Sequence, residues 1–584
     1  MTFMSTWFPY FDLFCALGAG GLWYLRPELG LWPLVLGLLP WLIRLLTGGR
    51  LTRRTPYDLP LLLFLLTAGL SVWAAYDRPA ALAKFWVIVG GLLIFYAFAN
   101  YREKRPDPFW LLASFGAGVT LYFLATNDWA TYPGKLAIVT RIGQAIQGLI
   151  PAVPGHRLHP NVVGGILATT LPFGGAAVWQ AAHQRQRGLA FLLAAVWAFT
   201  LFGLFMTTSR GAWLAVAAAM AAAGLWGLFV WFGSAQNNHW LFNGLMVVAG
   251  LGTVALFVTR PELLRLFGDS NRPELMRNSL ILIQEYPLIG AGLDGYLMLY
   301  STYSFLIHVG FSVHAHNLFI NVAIEQGIPG VLALLWLALL VGYGWWQETR
   351  RGEGVRPGIA VAGLTLIIIC LHGLVDDPLY GSRAVLLLFL PMAFAVPSAP
   401  SQPAARPARQ QAVIWALGAT GVMMFLFFGW RSLPATWFAN LAAIEQSRME
   451  LGVYSWPEWS VQDEVRRQLE LTRPVALYER ALSIDPTNAA ANRRLGQIEL
   501  SLAEYDNALV HLEQAYAITP WDNATRQLYG EALIVTGRVN EGAAQWSTVN
   551  NSEQQLILRA FWYEHIGDTA RLEAIRPIAT AVRN

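Results

Sequence analysis

Two histidines stand two residues apart in the segment His314-Ala315-His316-Asn317, just before a new apolar run begins at Leu318. The polar stretch before them, residues 260–313, carries four arginines: Arg260, Arg265, Arg272 and Arg277. An imidazole changes its charge near neutral pH, whereas a guanidinium stays charged at any physiological pH. Side chains of these types at the edge of a membrane predict acid–base chemistry on an anionic substrate that resides in the membrane.

The composition sets the class of protein. Of the 584 residues, 55% are hydrophobic and 13% are charged, and the apolar residues fall in blocks about as long as a bilayer is thick. The sequence therefore predicts an all-α, polytopic helical membrane protein. The net charge of +4 forms no basic stripe interleaved with aromatics, which argues against a nucleic-acid partner. Cys15 and Cys370 lie in apolar segments and indicate neither a disulfide framework nor a metal site.

Hydropathy predicts thirteen membrane spans. They lie near 7–25, 30–48, 58–76, 80–99, 107–126, 161–181, 189–207, 211–232, 241–259, 328–347, 357–375, 384–397 and 412–430. The first span lacks a basic region before it and a small-residue cleavage site after it, so it is expected to remain as a membrane anchor. Residues 1–430 are accordingly predicted to form the transmembrane domain.

The short basic connections between these spans predict the orientation in the cell (inner) membrane. All of them fall on one side: Arg50, Arg53 and Arg54; Arg102, Lys104 and Arg105; Arg185 and Arg187; Arg350, Arg351 and Arg356; Arg406 and Arg409. Because positive loops stay in the cytoplasm, the N-terminus is predicted to be cytoplasmic. The loop 260–313, the Asp376-Asp377 turn and the region 431–584 are then exoplasmic or periplasmic.

The region after residue 430 is soluble in character and contains a repeat. Asp485-Pro486 recurs as Thr519-Pro520, and Gly496 recurs as Gly530, both at an offset of 34 residues. This period is typical of tetratricopeptide (TPR) helical pairs, which stack into a concave surface that binds peptides or proteins. The sequence thus predicts a TPR-like domain that either binds a protein partner or simply caps the membrane domain.

Arg210 is predicted to lie at the outer end of a span, against the charge bias of the other loops. One interpretation is an interface anchor whose charged end reaches toward water. The other follows from convergence, because Arg210, the loop arginines and His316 all belong to the same predicted face. A diphosphate suits such a site, since a guanidinium can bind two phosphate oxygens at once.

Over about residues 60–380, the sequence resembles the O-antigen ligase and O-antigen polymerase superfamily. The resemblance rests on five motifs in order: Leu158-His159-Pro160-Asn161; Ser209-Arg210-Gly211-Ala212-Trp213; Arg272 followed by Pro287-Leu288-Ile289-Gly290-Ala291-Gly292; His314-Ala315-His316-Asn317 with Glu325 and Gly327; and Leu371-His372-Gly373-Leu374-Val375-Asp376.

The resemblance implies a helical membrane enzyme that transfers a glycan from a polyprenyl-diphosphate carrier to an acceptor at the outer surface, without a metal or cofactor. One position departs from the family, whose members usually carry a tryptophan where this chain has Met276. Because the expected tryptophan lies four residues after the loop arginine, this departure makes Arg277 a candidate substitute for Arg272 as that arginine. The choice between Arg272 and Arg277 as the diphosphate ligand therefore stays open.

The chemistry assigns a role to each catalytic candidate. A diphosphate leaving group needs positive charge more than acid help, and Arg210 and Arg272 are predicted to supply it. An acceptor hydroxyl gains from a base with a pKa near neutrality, and His316 is predicted to act as that base or to orient the acceptor. Direct attack would invert the anomeric carbon. Further substrate contacts are expected from Arg277, His314, Asn317, His159 and Asp376.

Several of these residues have simpler interpretations. His314 is an alternative base. A further alternative is that neither histidine takes part in the reaction. On a helix they would diverge by about 200°, so the sequence predicts no zinc site. His159 can be a helix-start residue that also lines the site. Asp376 can be a solvated turn residue, or a carboxylate that orients His316 or pairs with an arginine.

Three functions compete. The first is a ligase that joins a polysaccharide to a lipid or protein, the second is a repeat-unit polymerase, and the third is a non-enzymatic glycolipid flippase. The external repeat domain favours the ligase, because a protein acceptor or partner needs a docking surface. A flippase is expected to carry charges near the bilayer midplane and discontinuous helices, whereas most ionisable residues here lie at span ends, with Arg44 and Lys84 as exceptions. The expected partners are therefore a glycan donor, a lipid or protein acceptor, and membrane lipids.

Overall fold

The computed structural model describes residues 2–104, 108–149, 153, 155–231, 234–266, 272–306, 312–351, 355–396, 432–453, 462–549 and 552–582. Within these ranges the secondary structure is helical, with no β-strand. The predicted all-α polytopic membrane fold is confirmed. The predicted span 412–430 lies outside the described residues.

The helices up to residue 396 include those that cross the membrane. They are α1 (Thr2–Leu25), α2 (Trp32–Gly48), α3 (Asp58–Ala74), α4 (Arg78–Lys104), α5 (Phe109–Thr126), α6 (Ala137–Leu149), α7 (Pro160–His183), α8 (Arg187–Met206), α9 (Arg210–Trp231), α10 (Ser234–Thr259), α11 (Arg272–Glu285), α12 (Tyr296–Leu299), α13 (Leu318–Arg351), α14 (Pro357–Val375) and α15 (Leu390–Ala395). Short 3-10 helices lie at Pro27–Leu29, Pro261–Leu266 and Arg383–Leu387, and a π-helix lies at Tyr300–Ser304.

Among the described residues, eight helices are long and apolar enough to cross a membrane, judged by length and composition: α4, α5, α7, α8, α9, α10, α13 and α14. Three shorter apolar segments, Trp32–Gly48, Asp58–Ala74 and Arg383–Ala395, coincide with further predicted spans. These helices form because their runs of apolar side chains avoid water, and a helix satisfies its own backbone hydrogen bonds in lipid. The hydrophobic core lies where α1, α3, α4, α13 and α14 meet.

The long helix α13 is broken near its start. Gly327 has a φ of 71°, which interrupts the helical hydrogen bonds. The loop between α11 and α12 supplies replacements, because Ala291 N donates to Ile324 O at 2.7 Å and Ile328 N donates to Pro287 O at 2.8 Å. The Gly290 backbone also packs directly against the Glu325 carbonyl, leaving no room for a side chain. The break therefore joins the segment that follows α11 to the membrane helices.

Contacts between neighbouring helices define two opposite ends of the bundle. At one end, Arg356 before α14 pairs with Glu348 of α13, and Arg102 of α4 donates to the Ala393 carbonyl at 2.9 Å. At the other end, the start of α13 meets the end of α14 through Asn317. Which end faces the cytoplasm stays a prediction.

The C-terminal helices pack as successive pairs. They are α16 (Leu433–Leu451), α17 (Gln462–Gln468), α18 (Thr472–Ile484), α19 (Ala489–Leu502), α20 (Tyr505–Ile518), α21 (Asn523–Val535), α22 (Val539–Trp546), α23 (Ser552–His565) and α24 (Thr569–Val582). The starts of α19 and α20 recur at α21 and α22 with the 34-residue offset read in the sequence. The assignment to the TPR class stays a prediction.

Candidate functional site

A single carboxylate organises the end of the bundle where α13 starts and α14 ends. Asp376, the residue after α14, is 4% exposed. Its Oδ1 lies 2.9 Å from His316 Nδ1, and its Oδ2 accepts hydrogen bonds from Asn161 Nδ2 at 2.7 Å and from Arg272 Nη2 at 3.3 Å. These four residues, together with His314, are called the Asp376 cluster below. They come from four separate parts of the chain, so only the tertiary fold brings them together.

His316 sits in an unusual backbone conformation. Its φ of 50° lies in the left-handed region, which non-glycine residues adopt at a cost and which is found preferentially at functional sites. The His314 ring packs edge-on against the His316 ring, with centroids 4.3 Å apart, and His314 Nδ1 accepts from His316 N at 3.2 Å. The local chain therefore turns both imidazoles toward Asp376.

Asn317 fixes this turn to the membrane helices. Its Oδ1 accepts from Phe319 N at 3.0 Å and from Ile320 N at 3.1 Å, which satisfies two backbone donors at the start of α13. Its Nδ2 donates to the Leu374 carbonyl at 3.0 Å. Asn317 is 8% exposed and positions its neighbour His316 relative to the end of α14.

The members of the Asp376 cluster differ in their charge at neutral pH. Burial alone would raise the pKa of Asp376, but the hydrogen bond and charge of His316 and the charge of Arg272 hold it well below its usual range. Burial, together with the neighbouring His316, lowers the pKa of His314 to about 3. At neutral pH, Asp376 is thus ionised and His314 is neutral. A proton on His316 Nδ1 then points at Asp376, and His316 Nε2 is the nitrogen that can accept another proton.

Arg272 and Arg277 lie on the same helix but have different partners. Arg272 is the first residue of α11, is 7% exposed, and donates to the Val375 carbonyl at 2.6 Å as well as to Asp376. Arg277 is directed away from this site and donates to the Trp521 carbonyl of the C-terminal helices at 2.6 Å. The structure therefore brings Arg272, and not Arg277, to the Asp376 cluster.

Arg210 is the first residue of α9 and is exposed. Its neighbour Gly211 packs closely on α14, because a Cβ added there would lie 3.0 Å from His372 Cδ2 and 2.9 Å from Val375 Cγ2. The start of α9 therefore lies against the last turns of α14, just before Asp376. Arg210 belongs to the same end of the bundle as the cluster.

His159 immediately precedes α7 and accepts from Asn161 N through its Nδ1 at 3.3 Å, so it acts as a helix cap. The cap places Asn161 where its side chain reaches Asp376. The helix-start interpretation of His159 therefore accounts for its local contacts, and its exposed ring lies beside the cluster.

The cluster also presents ligand types that metals use. Atoms of His314, His316 and Asp376 lie within 4.8 Å of one another. Both Asp376 oxygens already accept hydrogen bonds, and a cation bound there would lie beside the Arg272 guanidinium. The expectation that no metal is used stays a prediction.

Sequence reasoning did not assign two asparagines to this site. Asn161 stands directly after the quoted His159-Pro160 pair. Asn321 donates to Asp377 Oδ2 at 2.6 Å, and its Oδ1 accepts from Ala315 N at 2.8 Å, so it holds the peptide between the two histidines. The signal for Asn321 was its spacing of one helical turn from Asn317.

Together, the fold and the site define a polytopic membrane protein with a histidine–carboxylate pair and arginines gathered at one end of its helix bundle. Residues 193–335 match the family described as O-antigen ligase. This match supports the O-antigen ligase superfamily, whose members are glycosyltransferase-type ligases or polymerases. The matched segment includes Arg210, Arg272 and both histidines, whereas Asp376 and His159 lie outside it. No curated protein matches the sequence.

Proposed function

We propose that this protein is a membrane glycosyltransferase that moves an oligo- or polysaccharide from a polyprenyl-diphosphate carrier to an acceptor hydroxyl on the exoplasmic side of the cell membrane. The observation that carries the proposal is the contact of His316 Nδ1 with the buried Asp376 carboxylate. The match of residues 193–335 to the O-antigen ligase family supports the same class of reaction.

In the proposed reaction, His316 Nε2 removes the proton of the acceptor hydroxyl. The hydroxyl oxygen then forms a bond to the anomeric carbon of the donor sugar, and the bond from that carbon to the diphosphate oxygen breaks. The polyprenyl diphosphate leaves with the electron pair. Attack on the face opposite the leaving group inverts the anomeric carbon. Asp376 stabilises the positive charge that His316 acquires.

We assign different roles toward the diphosphate to Arg210 and Arg272. Arg210 is exposed at the start of α9, and we assign the direct contact with the phosphate oxygens to it. Arg272 is held by Asp376 and the Val375 carbonyl, so its main contribution is to fix Asp376 and to add positive charge near the leaving group. Fixed guanidinium charges can stabilise this leaving group without a metal ion.

A ligase and a polymerase would use the same chemistry, and the accumulated substrate distinguishes them. Deleting the gene is expected to leave full-length polymer on its carrier, because the proposal favours ligase-type transfer to a lipid or protein. Accumulation of carrier-linked single repeat units would instead identify a polymerase. Analysis of the lipid-linked glycans by mass spectrometry would make this measurement.

One observation favours the non-enzymatic alternative, a glycolipid flippase. The broken helix α13 places Glu325 next to its kink, where it pairs with Lys84 of α4 at 2.8 Å; Glu325 is buried and Lys84 is largely buried. Discontinuous helices with buried charges are typical of transporters. A flippase would move the carrier lipid across the bilayer of proteoliposomes but would form no new glycosidic bond.

The enzyme proposal is tested by replacing the proposed base. We expect His316→Ala to lower the rate of glycan transfer about 10²- to 10⁴-fold, the usual contribution of a general base. Transfer to acceptor is measured in membrane vesicles supplied with lipid-linked donor. The control is His183→Ala, because His183 is an exposed histidine at the far end of α7. Equal rates in the two variants, both inserted at wild-type levels, would contradict the proposal.

A further inference from the structure

The helix that begins in the Asp376 cluster ends inside the C-terminal helices. Glu285, the last residue of α11, is fully buried against α19. Arg494 of α19 binds it with both arms of its guanidinium, from Nε at 2.8 Å and from Nη2 at 2.7 Å, and Arg493 also pairs with it. Such a two-armed contact fixes orientation as well as distance. Since α11 has 14 residues, it spans about 21 Å between the two sites.

Tyrosines complete the surroundings of this ion pair. The Arg494 guanidinium lies 3.3 Å from the centre of the Tyr303 ring and donates to Tyr286 OH at 2.9 Å. Arg493 donates to the Tyr303 carbonyl at 2.6 Å. Glu285, Arg493, Arg494, Tyr286 and Tyr303 are called the Glu285 cluster below. It joins both α11 and the π-helix at Tyr300–Ser304 to α19.

Hydrogen bonds extend the Glu285 cluster into a buried network through the C-terminal helices. Among the described residues, this network contains four arginines and four carboxylates: Arg466, Arg493, Arg494, Arg559, Glu285, Glu450, Asp463 and Glu531. Without Glu285, one buried positive charge would lack its counterion, which is costly in a protein interior. The C-terminal helices therefore depend on α11 for charge balance.

Other contacts hold the segment 272–306 along its length. Arg277 in the middle of α11 donates to the Trp521 carbonyl, and Asn523 donates to Glu274 at 3.3 Å. Asn440 of α16 accepts from Leu288 N and Ile289 N, both at 3.1 Å. Residues 272–306 of the same chain therefore pack against α19 and α21, the first helices of the two repeat units.

We infer that Arg494 is a positioning residue of the transferase, and that the C-terminal helices hold α11 so that Arg272 fixes Asp376 beside His316. The face formed by α16, α19 and α21 binds the chain's own segment 272–306, so a separate protein partner does not dock there. The effect on catalysis rests on the proposed function, whereas the effect on the position of α11 does not.

The test compares Arg494→Gln with Arg473→Gln in the full-length chain in lipid nanodiscs. Arg473 is a matched control because it is an arginine of the same region, paired with Glu445 at 3.2 Å, but its side chain is 76% exposed. We expect Arg494→Gln to raise amide hydrogen exchange across residues 272–285 by about tenfold or more, since the opening of a helix follows its local contacts. Arg473→Gln should leave that exchange unchanged.

Activity supplies the second measurement. Misplacing a site by about 1 Å through a distant change can lower a rate by up to about 10²-fold. We expect Arg494→Gln to lower kcat with little change in the KM for lipid-linked donor, because the proposed donor ligand Arg210 is on another helix. Arg494→Lys, which keeps the charge but not the two-armed contact, should recover part of the kcat.

The outcomes separate the inference from the proposed function. Wild-type exchange across 272–285 in Arg494→Gln would overturn the inference, even in a protein that transfers no glycan. Faster exchange across that helix without any transfer by the wild type would support the positioning role and contradict the transferase. If Arg494→Gln does not fold, Arg494→Lys decides, because it keeps the buried positive charge but removes the two-armed contact with Glu285. Unchanged exchange across 272–285 in that variant would overturn the inference.

Discussion

The two ends of α11 lie in polar clusters that differ in their access to solvent. At its start, the Asp376 cluster includes His316, whose side chain is 25% exposed. At its end, the Glu285 cluster is sealed, with the side chains of Glu285 and Arg494 both fully buried. Both clusters centre on one carboxylate that binds arginine. The difference is that only the first offers a titratable group to a substrate.

This difference indicates what each cluster can do. A sealed, charge-balanced network cannot bind a ligand, but it fixes the relative positions of the helices that contribute to it. A partly open cluster can exchange a proton with a substrate, and it needs an external framework to keep its geometry. The helix α11 connects the two, so a change in the sealed cluster is expected to reach the open one through Arg272.

The largest expected effect on activity, besides that of His316, is at Asp376. In Asp376→Asn the amide can donate to His316 Nδ1, which would move the imidazole proton to Nε2 and remove the base. We expect transfer to fall on the order of 10²- to 10⁴-fold with the protein still folded. The measurement is the rate of glycan transfer in membrane vesicles.

Asp128→Asn is the control for this experiment. Asp128 also accepts several hydrogen bonds, including one from Thr131 Oγ1 at 2.5 Å, but it contacts neither histidine. Its replacement should leave the rate unchanged. A rate for Asp376→Asn close to that of Asp128→Asn would show that the carboxylate does not act through His316.

The sequence predicted the membrane helices well because hydropathy is a local property. A run of apolar side chains long enough to span a bilayer can be read without knowledge of the rest of the chain. The part of α13 after its break was likewise predicted as the span 328–347, because it is a local apolar run. The contact that stabilises the break at Gly327 was not predicted, because it involves the distant carbonyl of Pro287.

The site was less predictable because its contacts are long-range. The types of residue and their common end of the bundle follow from the motifs, but the pairing of Arg272 with Asp376 joins residues 104 positions apart. The two arginines of α11 could not be distinguished by sequence for the same reason. Arg277 is drawn to Trp521, and nothing near it in sequence indicates that partner.

A second prediction uses pH to distinguish the two clusters. The pKa of His314 falls from its ordinary value of 6.5 to about 3 in the folded protein, because burial disfavours the charged ring. Between these values the unfolded chain binds a proton that the folded chain does not, so stability is full above pH 6.5 and is lost as the pH falls toward 3. The loss from one histidine is at most about 1.4 kcal/mol per pH unit.

Asp463, in the network beyond the Glu285 cluster, should respond at lower pH. Burial would raise the pKa of Asp463, but Arg559 and Arg466 lower it below 3.8, so its contribution is present above pH 3.8 and is lost only below that. Thermal unfolding of the purified chain between pH 7.5 and 5 should therefore show acid destabilisation that His314→Gln reduces. The same slope in His314→Gln and wild type would contradict the assignment of a neutral, partly buried His314.

The smallest expected effect is that of metal removal. The ligand atoms of His314, His316 and Asp376 are close enough to hold an ion, but Asp376 is already neutralised by Arg272 and His314 Nδ1 already accepts a backbone hydrogen bond. A divalent ion at this position would lie beside a fixed positive charge, which disfavours its binding. We therefore expect dialysis against EDTA to leave the transfer rate unchanged. If dialysis abolishes activity and added Zn²⁺ or Mg²⁺ restores it, the Asp376 cluster is a metal centre. The proposed role of Arg272 in fixing Asp376 would then be wrong.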